Sequence, residues 1–449
     1  MLIKKLLRFV GIMLASLFVL ILIFAVVGIA PTDTNVDYES LLERMGEKID
    51  SADQDPVPVD SGFIIGFSKV NLTPPGPLAT AGYGKRFGKH YKSIHDSIYV
   101  RAMVIDNGTK RVAIVSADLL IIPPTVTARL EQELPGIDFS LDNTYLGATH
   151  SHNSIGNWAK GATAVLYGTY QDSVVRFITD KIKISIHEAT KNMLPATIKM
   201  DSVAMPEGVY NRVTDGGPVD PMLRFLKVER SDSSKLLFLS YTAHATCLFS
   251  RDLQLSGDYP GKLTNILEKD GYALAMFMAG AVGSHGPAAP EAGWSCVDWM
   301  AEQISKKIQS QEPGWKVKNS TIEMYRVPLE LSEPQPKVLH DWRLRPWLFR
   351  VGFGEYPSFL SVLRIGDIVF LSTPGDFSGE FNFAIDALAT SKNVFPIVTS
   401  FNGGYIGYLT PEEYYDIDHY ETQLMNWYGP GNGEYVKDAV EKLMLSVVE

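Results

Sequence analysis

From residue 9 to residue 30 the chain carries no charged side chain. As a helix rising about 1.5 Å per residue, that run is roughly 33 Å long, the depth of a bilayer core, so residues 1–30 read as a single N-terminal membrane anchor. Lys4, Lys5 and Arg8 precede the run, whereas Asp33, Asp37, Glu39 and Glu43 lie beyond it. Positive charge stays on the cytoplasmic side, which leaves the rest of the chain periplasmic or extracellular. A cleaved signal peptide is the rival reading. Against it, the apolar stretch exceeds the roughly 7–15 residues of a signal core, and Pro31 directly follows the one small-residue cleavage site. Under either reading the remainder of the chain is exported.

Residues 31–61 are polar and acidic, with one helix candidate over 38–50 and a Pro-containing run over 54–58, and read as a spacer. Residues 62–449 show no repeat and no shift of composition, so one domain is expected there. Short, apolar, often β-branched runs predict strands over 112–116, 197–203, 222–228, 236–242, 273–278, 359–364 and 367–372. Helical spacing fills 172–192, 260–269, 296–309, 379–389 and 435–445. This alternation predicts an α/β fold with mixed β-sheets packed between helices.

A composition of 45% hydrophobic and 20% charged residues suits a chain that buries a large core. The net charge of -10 offers no basic field to a phosphate backbone, which argues against nucleic acid as a partner. Cys247 and Cys296 are the only cysteines, enough for one bridge in an oxidising compartment. Spacing alone leaves a bridge and two buried thiols equally open.

Three apolar strands run directly into loops rich in His, Asp, Ser or Gly, the position at which α/β folds carry reactive groups. The first ends in Gly147-Ala148-Thr149-His150-Ser151-His152-Asn153-Ser154, where alternating imidazoles on an extended segment would share a side and could bind a metal. Two polar loop histidines are the plainer alternative. His244 ends the second strand, in Thr242-Ala243-His244-Ala245-Thr246. The third strand runs into Thr373-Pro374-Gly375-Asp376-Phe377-Ser378, where a forced turn presents a carboxylate, or where Asp376 or Ser378 simply caps the next helix. A tyrosine-rich run over 402–414 has the makings of a pocket wall.

Taken in order, these segments resemble the catalytic domain of the neutral/alkaline non-lysosomal ceramidase family. Further matching segments are Gly66-Phe67-Ser68-Lys69-Val70-Asn71-Leu72-Thr73-Pro74, Ala81-Gly82-Tyr83-Gly84-Lys85-Arg86, Ser116-Ala117-Asp118-Leu119, Tyr210-Asn211-Arg212 and Ser256-Gly257-Asp258-Tyr259-Pro260-Gly261. The resemblance implies a Zn2+ ion held by His150, His244, Asp376 and Tyr408. It further implies that His152 and Arg212 act on the substrate and that Tyr420 lines the pocket. The implied reaction is hydrolysis of the N-acyl bond of ceramide, or a related acylated lipid, by a metal-activated water.

This sequence departs from the family at two positions. Asp376 stands where the family has Glu, with Glu380 as a more distant substitute. Gly283-Ser284-His285-Gly286-Pro287 stands where the family has Gly-Asp-Val-Ser-Pro, which puts Gly286 at the serine position and leaves Ser284 as the nearest hydroxyl for a catalytic role. The C-terminal β-sandwich of long members is not expected here. The departures keep two alternatives in view: zinc hydrolysis of another N-acyl or ester substrate, and a zinc-containing binding protein of the same fold without turnover.

Overall fold

The structure, a computed structural model, describes residues 2–52, 61–312, 314–339 and 341–448, without the side chains of residue 2 and of residues 20–26. The principal helices are α1 (Leu2–Gly28), α2 (Tyr38–Ala52), α3 (Pro124–Glu133), α4 (Asp172–Lys191), α5 (Asp258–Lys269), α6 (Trp294–Gln309), α7 (Pro346–Phe353), α8 (Asn382–Ser391) and α9 (Asn432–Leu445). Strands β1 (Phe63–Asn71), β2 (Tyr99–Asp106), β3 (Arg111–Ala117), β4 (Thr144–Ala148), β5 (Leu194–Ala204), β6 (Met222–Arg230), β7 (Lys235–Tyr241) and β8 (Leu274–Ala279) lie in a nine-stranded sheet. Their order is β8-β7-β6-β5-β1-β2-β3-β4, and Trp315–Lys316 pairs beside β5. A second sheet of four strands has the order β9 (Ile322–Pro328), β10 (Phe359–Ile365), β11 (Ile368–Thr373), β12 (Phe395–Ser400).

The two sheets stack face to face. Ile65, Met103, Ile114 and Tyr145 of the larger meet Leu363, Ile365, Phe370 and Ile397 of the smaller in one buried cluster. Period-2 alternation sends the intervening residues outward, where helices cover them. In β3, Val112 and Ile114 face the second sheet, while Ala113 and Val115 face α3 and α4. Leu237 and Leu239 of β7 pack under α5 and α6. Val369 and Leu371 of β11 pack under α2, α8 and α9. Strands buried on both faces read as unbroken apolar runs, which is why they were visible in the sequence. The result is a mixed α/β domain in four layers, helices outside and sheets within, as expected.

Within the two large sheets three strand pairs are parallel: β3 with β4, β7 with β8, and β11 with β12. The segments that carry the three histidines, Asp376 and Tyr408 leave from the carboxyl ends of these strands, whereas Arg212 lies in the connection between β5 and β6.

The spacer expectation needs correcting. The helix candidate forms as α2, but it buries Leu41, Met45 and Ile49 against α9 and the four-stranded sheet. Ile29–Pro31 pairs antiparallel with Trp342–Leu344. Residues 29–52 therefore belong to the packed domain, because their apolar i, i+4 stripe has a surface to cover. The Pro-containing run over 54–58 lies outside the described residues. The N-terminal apolar run forms α1, whose side chains from Ile3 to Val19 face outward. No helix among the described residues is long and apolar enough to cross a membrane, and part of the expected span, residues 20–26, lies outside the described side chains.

Cys247 and Cys296 form a disulfide with a sequence separation of 49, which ties the segment after His244 to α6. Closing a loop of that length removes about 4 kcal/mol of unfolded-state entropy in the chain-entropy model. Replacing both cysteines by serine should lower the unfolding free energy by about 3–4 kcal/mol, read from urea midpoint and slope together, the slope rising because the unfolded chain without the bridge is more expanded.

Candidate metal and active site

His150 and His152 follow β4, and His244 follows β7. Their ring nitrogens lie within 4.8 Å of one another, and all three side chains are buried. An extended segment does not explain this arrangement, contrary to the sequence reading. His150 has φ of 62°, so the chain turns at that residue and the two rings meet edge to face at 4.7 Å. Phe401, just past β12 and itself at φ 70°, stacks on the His150 ring at 4.0 Å.

Backbone carbonyls fix the tautomers. His150 Nδ1–H donates to the Leu120 carbonyl at 2.6 Å, and His244 Nδ1–H donates to the Val282 carbonyl at 2.9 Å. A carbonyl can only accept, so in the neutral rings each Nε2 carries a lone pair. These two Nε2 atoms stand 2.8 Å apart. Oδ1 of Asp376 lies 3.4 Å from both and is buried without a hydrogen-bond partner. Lone pairs and a carboxylate oxygen crowded into one buried point repel unless a cation lies among them. The donor set therefore fits a metal ion.

Burial, followed by the nearby positive charge of Arg212 and then His150, holds His244 well below the usual imidazole pKa. Burial, then His150 and Arg212, does the same for His152. Both rings are thereby kept in the neutral form that a metal requires. His152 Nε2 lies 3.1 Å from His150 Nε2, while its buried Nδ1 has no partner. Tyr408 completes the cluster, with its hydroxyl 3.4 Å from His244 Nε2. Backbone pairing sets that position, since Asp376 pairs with Tyr408 and Phe377 with Leu409.

Arg212 lies against the His244 ring, with Nη2 3.0 Å from Nδ1 and 3.3 Å from Nε2, and donates through Nη2 to the Tyr408 hydroxyl at 3.3 Å. Its Nε stands 2.6 Å from Oε1 of Glu421, a fully buried carboxylate. Burial opposes the charge on Arg212, but Glu421 and then Tyr420 and Tyr408 outweigh it, so the guanidinium stays charged. Tyr420 is half exposed and packs edge-on against Tyr408 at 5.7 Å.

His150, His152, Arg212, Asp376, Tyr408 and Tyr420 all line a cavity of about 1380 Å³. Its remaining wall is largely apolar, with Trp158, Leu166, Phe349, Phe353, Trp427 and Tyr428 prominent. His244 sits behind it, fully buried.

Two expectations are corrected. Ser284 is not brought to the imidazoles. Its hydroxyl is fully buried, lies off the cavity wall and donates to Glu380, with Ser378 Oγ at 2.7 Å. What Ser284 contributes is backbone: its N–H donates to Glu421 at 2.8 Å and its carbonyl accepts from the Arg212 N–H at 2.8 Å. Glu380, the substitute carboxylate, is likewise committed elsewhere, accepting from Asn211 at 2.7 Å and Tyr414 at 3.0 Å. Gly286 pairs with Tyr210, and a Cβ added there would meet that ring at 2.8 Å.

Sequence reasoning missed several supporting residues. Tyr405 donates to Oδ2 of Asp376 at 2.7 Å and aims the carboxylate. Arg86, almost fully buried, donates to the His152 carbonyl and to Asn153 Oδ1 at 2.7 Å, pinning the loop that carries both histidines. Arg86, Tyr405 and Glu421 all sit in or beside the matched segments, and that position was the available signal. The Leu120 and Val282 carbonyls left no signal at all.

Removing one partner of a buried ion pair strands the other charge, at a cost of about 3–5 kcal/mol. Glu421→Gln keeps the shape and the bond from Ser284, so unfolding free energy should fall by about 3 kcal/mol, with Arg212→Met plus Glu421→Gln recovering part of the loss in a double-mutant cycle.

Solved structures that share this fold include two ceramidases. The neutral ceramidase from Pseudomonas aeruginosa is 18% identical, with a TM-score of 0.75 over 87% of this chain and 74% of that one. A ceramidase complexed with C2 is 17% identical, with a TM-score of 0.72 over 87% of this chain and 75% of that one. The family model described as neutral/alkaline non-lysosomal ceramidase, N-terminal, matches residues 63–311, more than half of the sequence. With that match spanning the strands that deliver His150, His152, Arg212 and His244, the chain belongs to the neutral/alkaline non-lysosomal ceramidase family.

Proposed function

We propose that this chain is a zinc-dependent amide hydrolase that cleaves the N-acyl bond of ceramide or a closely related acylated lipid, and that α1 anchors it in a membrane with the domain on the exported side. One observation carries the chemistry: the Nε2 lone pairs of His150 and His244 and Oδ1 of Asp376 face one buried point. Asp376 Oδ1 stands 3.4 Å from each imidazole, the Tyr408 hydroxyl 3.4 Å from His244 and the two Nε2 atoms 2.8 Å apart, so the four donors are close enough to share one ion. Two imidazoles, a carboxylate and a phenol also suit zinc in chemical type.

Bound there, zinc supplies a Lewis acid for the scissile carbonyl and a water made acidic enough to react near neutral pH. The protein supplies the rest. Arg212, charged and held by Glu421, faces the carbonyl oxygen as negative charge develops on it. His152, kept neutral by burial, is free to take a proton and return it to the leaving nitrogen. The Tyr408 and Tyr420 hydroxyls orient the polar end of the substrate. The apolar wall around Trp158, Phe349 and Trp427 excludes water and takes up an acyl chain. Exposed apolar side chains along α1, with Lys4, Lys5 and Arg8 at its start, support the anchor.

His150→Ala and His244→Ala should each lose zinc, measured as metal per chain by mass spectrometry, together with fatty-acid release from ceramide; full zinc and full activity in either variant would refute the ligand set. Ser284→Ala should keep activity within about tenfold, since its hydroxyl faces away from the cavity. The altered Gly283–Pro287 loop, with Gly286 lacking a side chain, favours one second reading, the same chemistry on another N-acyl or ester compound. A panel of such substrates compared by kcat/KM separates the two. Metal-loaded protein inert towards the entire panel would instead indicate a binding protein.

A further inference from the structure

Helix α7 (Pro346–Phe353) is apolar on two faces. Phe349 and Phe353, four residues apart, point inward; their rings stack at 4.8 Å, pack on Trp427 and line the cavity. Trp347 and Val351, also four apart, point outward and are 47% and 69% exposed. A helix apolar all round is normally covered on every side. Leu339 and Trp342, on the short strands leading into α7, add further exposed apolar surface, at 62% and 44%. Patches of this kind mark interaction surfaces.

The path of the chain identifies what covers this one. α1 ends against the patch: the Arg345 N–H donates to the Gly28 carbonyl at 2.9 Å, Arg345 Nε to the Ile29 carbonyl at 3.1 Å, and Trp347 Nε1 to the Val27 carbonyl at 3.1 Å. The pairing of Ile29–Pro31 with Trp342–Leu344 extends this junction, and Arg343 Nε donates to the Pro31 carbonyl at 3.1 Å. The last turn of α1 is thus clamped, not tethered, to an element carrying two exposed tryptophans among arginines. Tryptophan and arginine are the residues that settle at the headgroup level of a bilayer, with rings or stems in the apolar zone and polar ends in water.

We propose that α7 and the strands before it form a lipid-seating surface, which rests in the headgroup layer of the leaflet where α1 emerges and sets the cavity mouth at that layer. The proposal rests on the reading of α1 as an anchor. The outer face of α7 meets lipid while its inner face, through Phe349 and Phe353, already forms cavity wall, so an acyl chain passes from leaflet to cavity along one helix without crossing water. No catalytic residue takes part in this contact.

The test uses the full chain reconstituted in phosphatidylcholine vesicles containing phosphatidylglycerol, with an environment-sensitive dye on Val351→Cys and, as control, on the exposed Ile184→Cys of α4. Flotation of the vesicles reports whether α1 holds the chain in the bilayer. In floating protein, the dye at 351 should emit to the blue of the dye at 184 and be quenched at least about twofold by lipid carrying a nitroxide near its headgroup, while the dye at 184 is unaffected. Equal, water-like emission at both positions in floating protein overturns the surface and leaves the anchor standing. A blue shift that grows with protein-to-lipid ratio, without lipid quenching, assigns the patch to a second copy of this chain and also overturns it. Protein that fails to float overturns the anchor, and the surface with it.

Discussion

Everything about the site depends on two hydrogen bonds that contain no catalytic atom. By accepting from the Nδ1–H groups of His150 and His244, the carbonyls of Leu120 and Val282 aim both Nε2 lone pairs at one point. Without a cation that point is a concentration of repulsion in a buried place, where a low local dielectric magnifies the cost. A fold that retains such a cluster has its stability coupled to whatever ion relieves it. The site is thus pre-formed in its acceptor chemistry. The surrounding layers serve to keep it from relaxing.

The layers do this through strand direction. Each parallel pair needs a long crossover, and here the crossovers put helices outside and leave the carboxyl ends of β4, β7, β11 and β12 facing a common space. Stacking the two sheets brings together ends that are far apart in sequence. Tyr145 of β4 and Thr399 of β12 share a buried hydrogen bond of 2.7 Å directly beneath the site. At the rim the cost is conformational, with His150, Ser284 and Phe401 all at positive φ. For residues other than glycine such angles persist only where packing over-determines them, and they gather at functional sites.

This division explains what could be read from the sequence. Strands buried on both faces, such as 236–242 and 367–372, announce themselves by hydrophobicity, and their ends point to His244 and Asp376. α2 was legible as a helix but not as part of the domain, because its partners on α9 lie at the far end of the chain. Ser284 misled for a related reason. Adjacency to the family's serine position is a one-dimensional fact, whereas φ of 59° turns its hydroxyl towards Glu380. The tautomer-setting carbonyls belong to a leucine and a valine, whose side chains say nothing about what their backbone accepts.

The turn that carries the carboxylate at 376 is pressed close to both imidazoles by backbone packing. Glycines permit this. A Cβ on Gly283 would stand 2.4 Å from the Asp376 carbonyl oxygen, and one on Gly375 would stand 2.6 Å from that of Gly407. Both contacts are with backbone, which cannot swing aside, so these positions exclude any side chain. The 374–376 turn is thus wedged between the segment after β8 and the tyrosine-rich loop, with Tyr405 holding the free carboxylate oxygen. Glutamate at 376 would push its oxygens into the space where Oδ1 now sits between the two rings, and would need this packing to open. The aspartate reaches both rings because glycines at 283 and 375 let its turn lie that close to the neighbouring backbone.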